Sequence, residues 1–472
     1  MARSPPVPES PPVPAAPSPA LIDRSERICI VGAGPAGLAQ ARAFKRAGVP
    51  FDVIERHRDL GGLWDIENPG TPMYESAHFI SSKGLSAFFD FPMPGDTPDY
   101  PGHAQVLAYL RAFARAYGLT EHIAFGVAVE RAEPEGHFWR VVLGNGEVRR
   151  YRGLVCANGM NWDPAMPDIP GHFEGELRHA VTYRGTAELE GRRVLIVGGG
   201  NSGCDIACDA AQSARAAFLS LRRGYTFIPK HVFGLPADVF GARAGVLPLP
   251  LALRQRVFQA LLRLLNGDPA HYGLPKPDHR IFESHPIVNS LVLHHLGHGD
   301  LKVKTDVTAF AGDKAVFADG SEETVDLVLL ATGYDTTIPY MARQHFEWAG
   351  NHLEAYMTAF NARHATLFTL GFINTAAGVF EDFDRLAHLI ANHLVDQERD
   401  PEKARKFREL VKAGQPDLSG GVNYVTSPRH AAYVQHDRFR AQLEKLRRGL
   451  AWPALTPGYF DALRSETGAT AP

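Results

Sequence analysis

Cysteine is scarce in this sequence, and long apolar runs are missing from it. The chain has four cysteines in 472 residues and none belongs to a C-x-x-C pair, which excludes a disulfide framework and fits a reducing cytoplasm. No apolar run approaches the roughly 20 residues of a membrane-spanning helix, so no transmembrane anchor is expected. A net charge of −3 favours neither nucleic acid nor an anionic membrane, and a small-molecule substrate is the expected partner.

The composition that remains is that of an ordinary globular protein. With 45% hydrophobic and 21% charged residues, the chain is long enough for about two to three domains. The first twenty residues hold eight prolines and no apolar run, so residues 1–25 are predicted to form a disordered tail. Residues 451–472 are predicted to form a second tail at the C-terminus.

A strand, a glycine-rich loop, a helix and a second strand follow one another twice, from Arg27 and again from Arg193. This order is typical of a dinucleotide-binding unit. Because strands resume after the second unit, the predicted fold class is α/β with two Rossmann-like domains, the second inserted into the first. The predicted limits are residues 26–184 and 325–450 for the first domain and residues 185–324 for the inserted one.

The first loop, residues 32–37, reads Gly-Ala-Gly-Pro-Ala-Gly between a strand and a helix. Its glycines allow a tight turn, close approach of a pyrophosphate and close helix–strand packing. Glu55 ends the next strand, where a carboxylate binds ribose hydroxyls and repels a 2′-phosphate. The loop is therefore predicted to bind FAD or NAD rather than NADP. Its predicted contacts are Gly32, Gly34, Pro35, Ala36, Gly37 and Glu55.

The second loop, residues 198–203, reads Gly-Gly-Gly-Asn-Ser-Gly, but its next strand leads to two arginines instead of an acid. Guanidinium groups bind a 2′-phosphate and stack on adenine, so this loop is predicted to bind NADPH in preference to NADH. Two solvated arginines at a strand end are the alternative. The predicted contacts are Gly198, Gly200, Asn201, Ser202, Gly203, Arg222 and Arg223.

Residues 173–183 read FEGELRHAVTY and match every fixed position of the F-x-G-x-x-x-H-x-x-x-(Y/F) signature of the flavin-containing monooxygenases. From about residue 27 to residue 450 the chain resembles this family of class B flavoprotein monooxygenases, and within it a divergent bacterial subgroup. Supporting matches are Gly61-Gly62-Leu63-Trp64, Asp90-Phe91-Pro92-Met93-Pro94, Ala157-Asn158-Gly159 and Ala331-Thr332-Gly333-Tyr334.

The resemblance implies FAD and NADPH as cofactors and O2 as co-substrate. NADPH would reduce the flavin, and a C4a-hydroperoxyflavin would pass one oxygen atom to a soft nucleophile, an amine nitrogen or a sulfide sulfur. Baeyer–Villiger oxidation of ketones is one alternative, although Tyr183 stands where such relatives usually carry Trp. An uncoupled NADPH oxidase or redox-sensing flavoprotein is another. A disulfide reductase would need a cysteine pair at the flavin, whereas Cys204 and Cys208 follow the second loop.

Segment 74–83 departs from the family pattern. Relatives place an asparagine beside the flavin where this sequence has Ile80, so the resemblance implies that His78, Ser81 or Ser82 supplies the polar contact near the flavin N5. Trp64 is expected either against the flavin ring or in plain core packing.

His179 and Tyr183 of the signature are expected to face one another where the chain crosses between the domains. The resemblance implies a role in linking NADP binding to flavin chemistry, and a plain linker histidine is the alternative. The remaining expected cofactor contacts are Gly62, Leu63, Val129, Ala157, Thr332, Gly333 and Asn374.

No metal site is expected. His294, His295 and His298 lack an H-E-x-x-H pattern, and a helix end capped by Gly297 or Gly299 explains them better. The basic stretch 243–263 is predicted to form a plain amphipathic helix, and a homodimer face or a lid over the substrate channel is the alternative.

Overall fold

The chain folds around two open sheets in a computed structural model that describes residues 20–245, 249–427, 430 and 433–467. The strands are β1 Leu21–Val31, β2 Phe51–Ile54, β3 Ile123–Ala124, β4 Val129–Glu135, β5 Phe138–Leu143, β6 Val148–Cys156, β7 Asp163–Pro164, β8 Gly171–Phe173, β9 Glu176–His179, β10 Arg193–Val197, β11 Ala216–Ser220, β12 His231–Val232, β13 Leu235–Pro236, β14 Leu301–Lys304, β15 Val307–Gly312, β16 Lys314–Phe317, β17 Glu322–Thr324, β18 Leu327–Leu330, β19 Tyr334–Asp335, β20 Glu347–Ala349, β21 His352–Glu354 and β22 Leu367–Thr369. The α-helices are α1 Pro35–Ala47, α2 His103–Ala116, α3 Asn201–Ser213, α4 Ala237–Gly245, α5 Leu251–Asn266, α6 Leu291–His298, α7 Phe380–Arg399, α8 Pro401–Ala413, α9 His436–Gly449 and α10 Asp461–Thr467.

The first domain is built on a seven-stranded sheet in the order β3-β2-β1-β6-β5-β4, with β22 paired to β6. The apolar end of β1 is buried on both faces: Ile28 and Ile30 belong to the core that contains α1 and α7, and Cys29 and Val31 belong to a second core on the opposite face. Arg42 of α1 lies 2.7 Å from Asp384 of α7, and both side chains are buried. Burial raises the pKa of Asp384 to about 6 in spite of Arg42.

The second domain is built on a parallel five-stranded sheet in the order β14-β11-β10-β18-β9, next to a four-stranded sheet β17-β16-β15-β8. The α/β fold with two Rossmann-like domains, the second inserted into the first, is confirmed, but the predicted limits of 185 and 325 are wrong. Strand β9 lies before residue 185, and β18 lies after residue 325. Both pair within the second sheet, where Leu327 is opposite Glu176 and Val194 is opposite Leu327. Strand β18 lies inside the parallel sheet and β9 forms its edge, so both strands belong to the second domain.

Both predicted tails are partly folded. Residues 1–19 lie outside the described residues, but β1 starts at Leu21, which pairs with Val148 of β6, so the limit at residue 25 is wrong. At the C-terminus Trp452, Phe460 and Leu463 are buried in the core of the first domain. These apolar residues are too few for a periodic pattern, yet they close the space above α1 and α2. None of the described helices is long and apolar enough to cross a membrane.

Candidate functional site

The first glycine loop is closed by backbone on both sides. Gly32 has a φ of 108°, and a Cβ on it would lie 2.7 Å from the carbonyl oxygen of Ala157. A Cβ on Gly37 would lie 1.9 Å from the carbonyl oxygen of Gly32. Helix α1 begins at Pro35 with Gly34 as its N-cap, so the N–H groups of its first turn face the loop. Only glycine fits at positions 32 and 37, and N–H groups at a helix N-terminus favour a phosphate group.

Glu55 is the acidic group of this loop. Its carboxylate accepts hydrogen bonds from the N–H groups of Ala33 at 2.6 Å and His57 at 2.8 Å. Burial raises the pKa of Glu55, and the two hydrogen bonds oppose this rise. A carboxylate held at this place can accept hydrogen bonds from ribose hydroxyls and repels a phosphate.

Aromatic side chains lie beside the segment that packs on the first glycine loop. A Cβ on Gly62 would lie 3.0 Å from the Cα of Gly34, so the two glycines bring the chain after β2 onto the loop. The ring of Trp64 lies 4.7 Å from that of Phe79, which lies 5.7 Å from Phe380. Trp64 therefore packs against the core through one edge, and a flavin contact through its other surface stays a prediction.

Three residues near the first glycine loop make hydrogen bonds that no sequence motif predicted. The Asn68 amide donates to the carbonyl oxygen of Gly62 at 3.0 Å, and the Thr71 hydroxyl donates to that of Leu63 at 2.5 Å. The N–H of Val127 donates to the carbonyl oxygen of Glu55 at 3.0 Å, whereas the predicted Val129 lies farther along, in β4. All three lie in irregular segments without hydrophobic periodicity.

The second loop repeats the geometry of the first. Gly198 has a φ of 116°, and a Cβ on it would lie 2.5 Å from the carbonyl oxygen of Ala331. A Cβ on Gly203 would lie 2.0 Å from the carbonyl oxygen of Gly198, and Gly200 is the N-cap of α3. Asn201 accepts a hydrogen bond from the N–H of Val288 at 2.9 Å, while Ser202 is exposed at the loop.

The two arginines follow β11 as expected. Arg222 is exposed, and the guanidinium of Arg223 lies 5.8 Å from the ring centre of Tyr225. The Nε of Arg223 is buried and has no hydrogen-bond partner among the described residues. Buried donors are rarely left unpaired, so this group fits an anionic ligand.

A group of side chains that we name the interdomain clasp joins segment 74–78 to α3. The hydroxyl of Tyr74 donates to Asp205 at 3.1 Å, and the hydroxyl of Ser76 donates to Asp209 at 2.6 Å. Glu75 and Ser76 lie in a turn closed by the N–H of Ala77, which donates to the carbonyl oxygen of Tyr74 at 2.9 Å, and the two aspartates lie one turn apart on the helix. Burial raises the pKa of both carboxyl groups.

His78 belongs to this clasp and not to the loop. Its Nδ1 donates to the carbonyl oxygen of Ser76 at 2.8 Å, and its Nε2 accepts a hydrogen bond from Lys230. The hydroxyl of Ser81 is bonded to another serine at 2.7 Å. The hydroxyl of Ser82 is buried and has no partner among the described residues. The three candidates are therefore not equivalent, since the Ser82 hydroxyl has no protein partner among the described residues, while the N–H of Ser82 donates to Asp238 at 2.6 Å.

The signature residues do not face one another, contrary to the expectation. The Nδ1 of His179 accepts the N–H of Val181 at 3.1 Å, so its Nε2 carries the hydrogen that is donated to the carbonyl oxygen of Gly333 at 3.0 Å. Burial lowers the pKa of His179, which favours this neutral form. The hydroxyl of Tyr183 donates instead to Asp209 of the clasp at 2.9 Å.

The two segments that cross between the domains run side by side. Strand β7 of the outward crossing pairs with β19 of the return, and the hydroxyl of Thr332 donates to the carbonyl oxygen of Ala165 at 2.6 Å. Together with the His179 hydrogen bond, these contacts fix Gly333 at the junction. Asn374 lies farther along the chain, where its carbonyl oxygen accepts the N–H of Val434 at 2.9 Å.

Neither a thiol pair nor a metal cluster is found at these loops. Cys204 and Cys208 are buried in α3, and burial raises the pKa of Cys208 to about 12, so it is not an activated thiol. Among the described residues no group of three or more His, Cys, Asp and Glu side chains is placed to hold a metal ion. Helix α6 ends at His298 and is capped by Gly299, as predicted.

Comparison with known proteins gives a consistent result. The family model described as flavin-binding monooxygenase-like matches residues 25–436. Human flavin-containing monooxygenase 5 is 30% identical over 429 residues, which cover 86% of this chain and 79% of that protein. Dimethylaniline monooxygenase (N-oxide-forming) 2 of Pan troglodytes is 30% identical over 425 residues, 84% of this chain and 78% of that protein.

A solved structure shows that the fold is shared as well. Cyclohexanone monooxygenase with bound cyclohexanone superposes with a TM-score of 0.67 at 18% identity, covering 91% of this chain and 98% of that chain. The cofactors of the present chain are FAD and NADPH, in agreement with two glycine-lined cradles of opposite charge. The chain is an enzyme and belongs to the family of flavin-containing monooxygenases.

Proposed function

We propose that this enzyme transfers one oxygen atom from O2 to a soft nucleophile, an amine nitrogen or a sulfide sulfur. The observation that carries the proposal is the difference between the two cradles, with buried Glu55 at the first and Arg222 and Arg223 at the second. In this proposal FAD lies on residues 32–37 and NADPH on residues 198–203. The N-oxide-forming relative named above supports nitrogen as one acceptor.

The residues of the chain have binding and shielding roles in this proposal. When bound, reduced FAD supplies the activation of O2. Glu55 holds the ribose, the N-terminus of α1 holds the pyrophosphate, and Gly62 lets the chain approach closely. The rings of Trp64 and Phe79 keep water away, and the free hydroxyl of Ser82 takes the place of the missing asparagine side chain at the reacting edge.

Ketone oxidation is a second candidate because Ile80 replaces the asparagine of heteroatom-oxidising relatives. The purified enzyme loaded with FAD is therefore tested with a sulfide, a tertiary amine and a cyclic ketone, and NADPH consumption, product and hydrogen peroxide are measured together. We expect sulfoxide or N-oxide to account for most of the NADPH. Lactone as the main product would favour the second candidate, and hydrogen peroxide without product would show an uncoupled oxidase.

A further inference from the structure

Two exposed histidines lie one turn apart on helix α6. The ring centres of His294 and His298 are 4.0 Å apart, and residues four apart share one face of a helix. The helix itself is fixed in place, because Val292 and Leu293 are buried in the core of the second domain together with residues of α3. A capped helix end accounts for His298, but it does not account for a second imidazole ring beside it.

The ring nitrogens of this pair are available to a ligand. His294 has neither a hydrogen bond nor an ion pair within the part of the chain that the structure describes. The Nδ1 of His298 lies 4.0 Å from a carboxylate oxygen of Asp300, so the lone pair of this ring is expected on Nε2. A metal-bound histidine usually has a carboxylate on the side of its second nitrogen, and His298 has this arrangement.

A cavity of about 490 Å³ opens beside the pair and is lined by both rings, Tyr272, Ser290 and His231. It leaves room for water molecules as further ligands. The Nε2 of His231 is already bonded to a carboxylate oxygen of Asp99 at 3.0 Å. The protein therefore offers two ligands here, which agrees with the finding that no three-residue metal cluster occurs among the described residues.

We propose that His294 and His298 bind a divalent transition metal ion, with water in the remaining positions. Imidazole nitrogen suits Zn²⁺, Ni²⁺ and Cu²⁺, whereas Mg²⁺ and Ca²⁺ prefer oxygen ligands. Two histidines four apart on one helix face also hold the zinc of H-E-x-x-H sites.

The role of this ion is structural. Residue 295 is a histidine where H-E-x-x-H sites have the glutamate that acts as general base. The described residues that line the cavity belong to neither glycine loop. The ion would join the last two turns of a helix that packs on α3, so its binding stabilises the second domain.

The test is calorimetric titration of the full-length enzyme, loaded with FAD and prepared without a histidine tag. We expect saturable binding of one Zn²⁺ ion per chain and no such binding of Mg²⁺. His294→Gln/His298→Gln should abolish the Zn²⁺ site. Asp300→Asn keeps both ligands but removes the carboxylate behind one of them, so the Kd of Zn²⁺ should rise about tenfold.

His137→Gln is the matched control, because His137 is an exposed histidine in the turn between β4 and β5. This variant should keep the parent's Kd for Zn²⁺, and an unchanged content of bound FAD checks the folding of every variant. Zn²⁺ should raise the midpoint of thermal unfolding of the parent but not that of His294→Gln/His298→Gln. Absence of saturable Zn²⁺ binding to the parent, or equal binding to the double variant, would overturn the proposal.

Discussion

At the scale of residues, cofactor preference depends on the groups that follow two strands, Glu55 after β2 and the arginine pair after β11. The carboxylate is buried and held by two N–H groups, so its position is fixed before any ligand binds. The Nε of Arg223 is buried and has no hydrogen-bond partner among the described residues, so it is a candidate donor to an anionic group.

Replacement of Arg223 by Gln should raise the KM for NADPH by about 10- to 100-fold, because a hydrogen bond between charged groups contributes about 1.5–3 kcal/mol. The KM for NADH should change little, since NADH has no 2′-phosphate. Steady-state kinetics with both nucleotides measures this difference. Arg215→Gln, an exposed arginine just before β11, is the matched control and should leave both values unchanged.

Ser82 is expected to matter for coupling. Ser82→Ala removes the only free hydroxyl among the three candidates, so the share of NADPH recovered as hydrogen peroxide should rise about threefold or more, while flavin reduction by NADPH keeps its rate. Ser81→Ala is the control, because that hydroxyl is already bonded to another serine. An equal rise in both variants would show that the segment is merely loosened.

The positions of the glycines, Glu55 and the arginines in the fold could be predicted from the sequence, since each belongs to a local motif that follows a strand. It was not enough for His78, whose partner Lys230 lies far away along the chain. The side chains of His179 and Tyr183 also have partners in distant segments, Gly333 and Asp209. Only tertiary packing decides which of these groups is left available.

At the scale of elements, α3 connects the two sites. Its N-terminus forms the second loop, while Asp205 and Asp209 on its next turns accept hydrogen bonds from segment 74–78 of the first domain. The signature residue Tyr183 bonds the same Asp209. Helix α3, whose N-terminus is proposed to bind NADPH, is thus hydrogen-bonded directly to the domain that is proposed to bind FAD.

Asp209→Asn should slow flavin reduction by NADPH about tenfold, because an uncharged amide oxygen accepts the two hydroxyls more weakly than the carboxylate does, so the alignment of the helix is weakened. The FAD content and the Kd of NADP⁺ should stay the same. Stopped-flow absorbance of the flavin measures the rate. Asp319→Asn, an exposed residue of the second domain, is the control, and a parallel loss of bound FAD would contradict a positioning role.

The order of elements was predictable, but their assignment to sheets was only partly so. Strand β18 is an apolar run that suits the parallel sheet of the second domain or the parallel part of the first sheet, and from the sequence it was predicted to belong to the first domain. The pairing of β18 with β10 and β9 shows that it belongs to the second sheet. No local sequence pattern encodes the pairing of distant parallel strands.

At the scale of the whole molecule, buried histidines make stability depend on pH. Burial lowers the pKa of His393 to about 3 from an ordinary 6.5, and it lowers the pKa of His179 and His388 as well. Below pH 6.5 the unfolded chain therefore takes up protons that the native chain refuses. Native stability from this source is complete above about pH 6.5 and falls as the pH decreases towards the folded pKa.

His393→Gln should remove part of this dependence. Between pH 7 and pH 5 the parent should lose about 2 kcal/mol through His393 alone, and the variant should not. Denaturant unfolding at the two pH values gives the difference. His298→Gln, at an exposed histidine, should keep the parent's dependence, and an unchanged dependence in His393→Gln would contradict the assignment.

The net charge of the whole chain does not show how the charged residues are distributed along it. The value of −3 is a sum over the chain, whereas residues 239–267 hold four arginines and neither aspartate nor glutamate. An average over 472 residues cannot show such a local excess.

The central claim, transfer of oxygen from O2 to a soft nucleophile, is tested most directly by one turnover experiment with ¹⁸O2, NADPH and methyl phenyl sulfide. The account predicts sulfoxide that carries one ¹⁸O atom, formed in nearly equal amount to the NADPH consumed, with little hydrogen peroxide. Consumption of NADPH with hydrogen peroxide as the only oxygen product, or sulfoxide without the label, would contradict it.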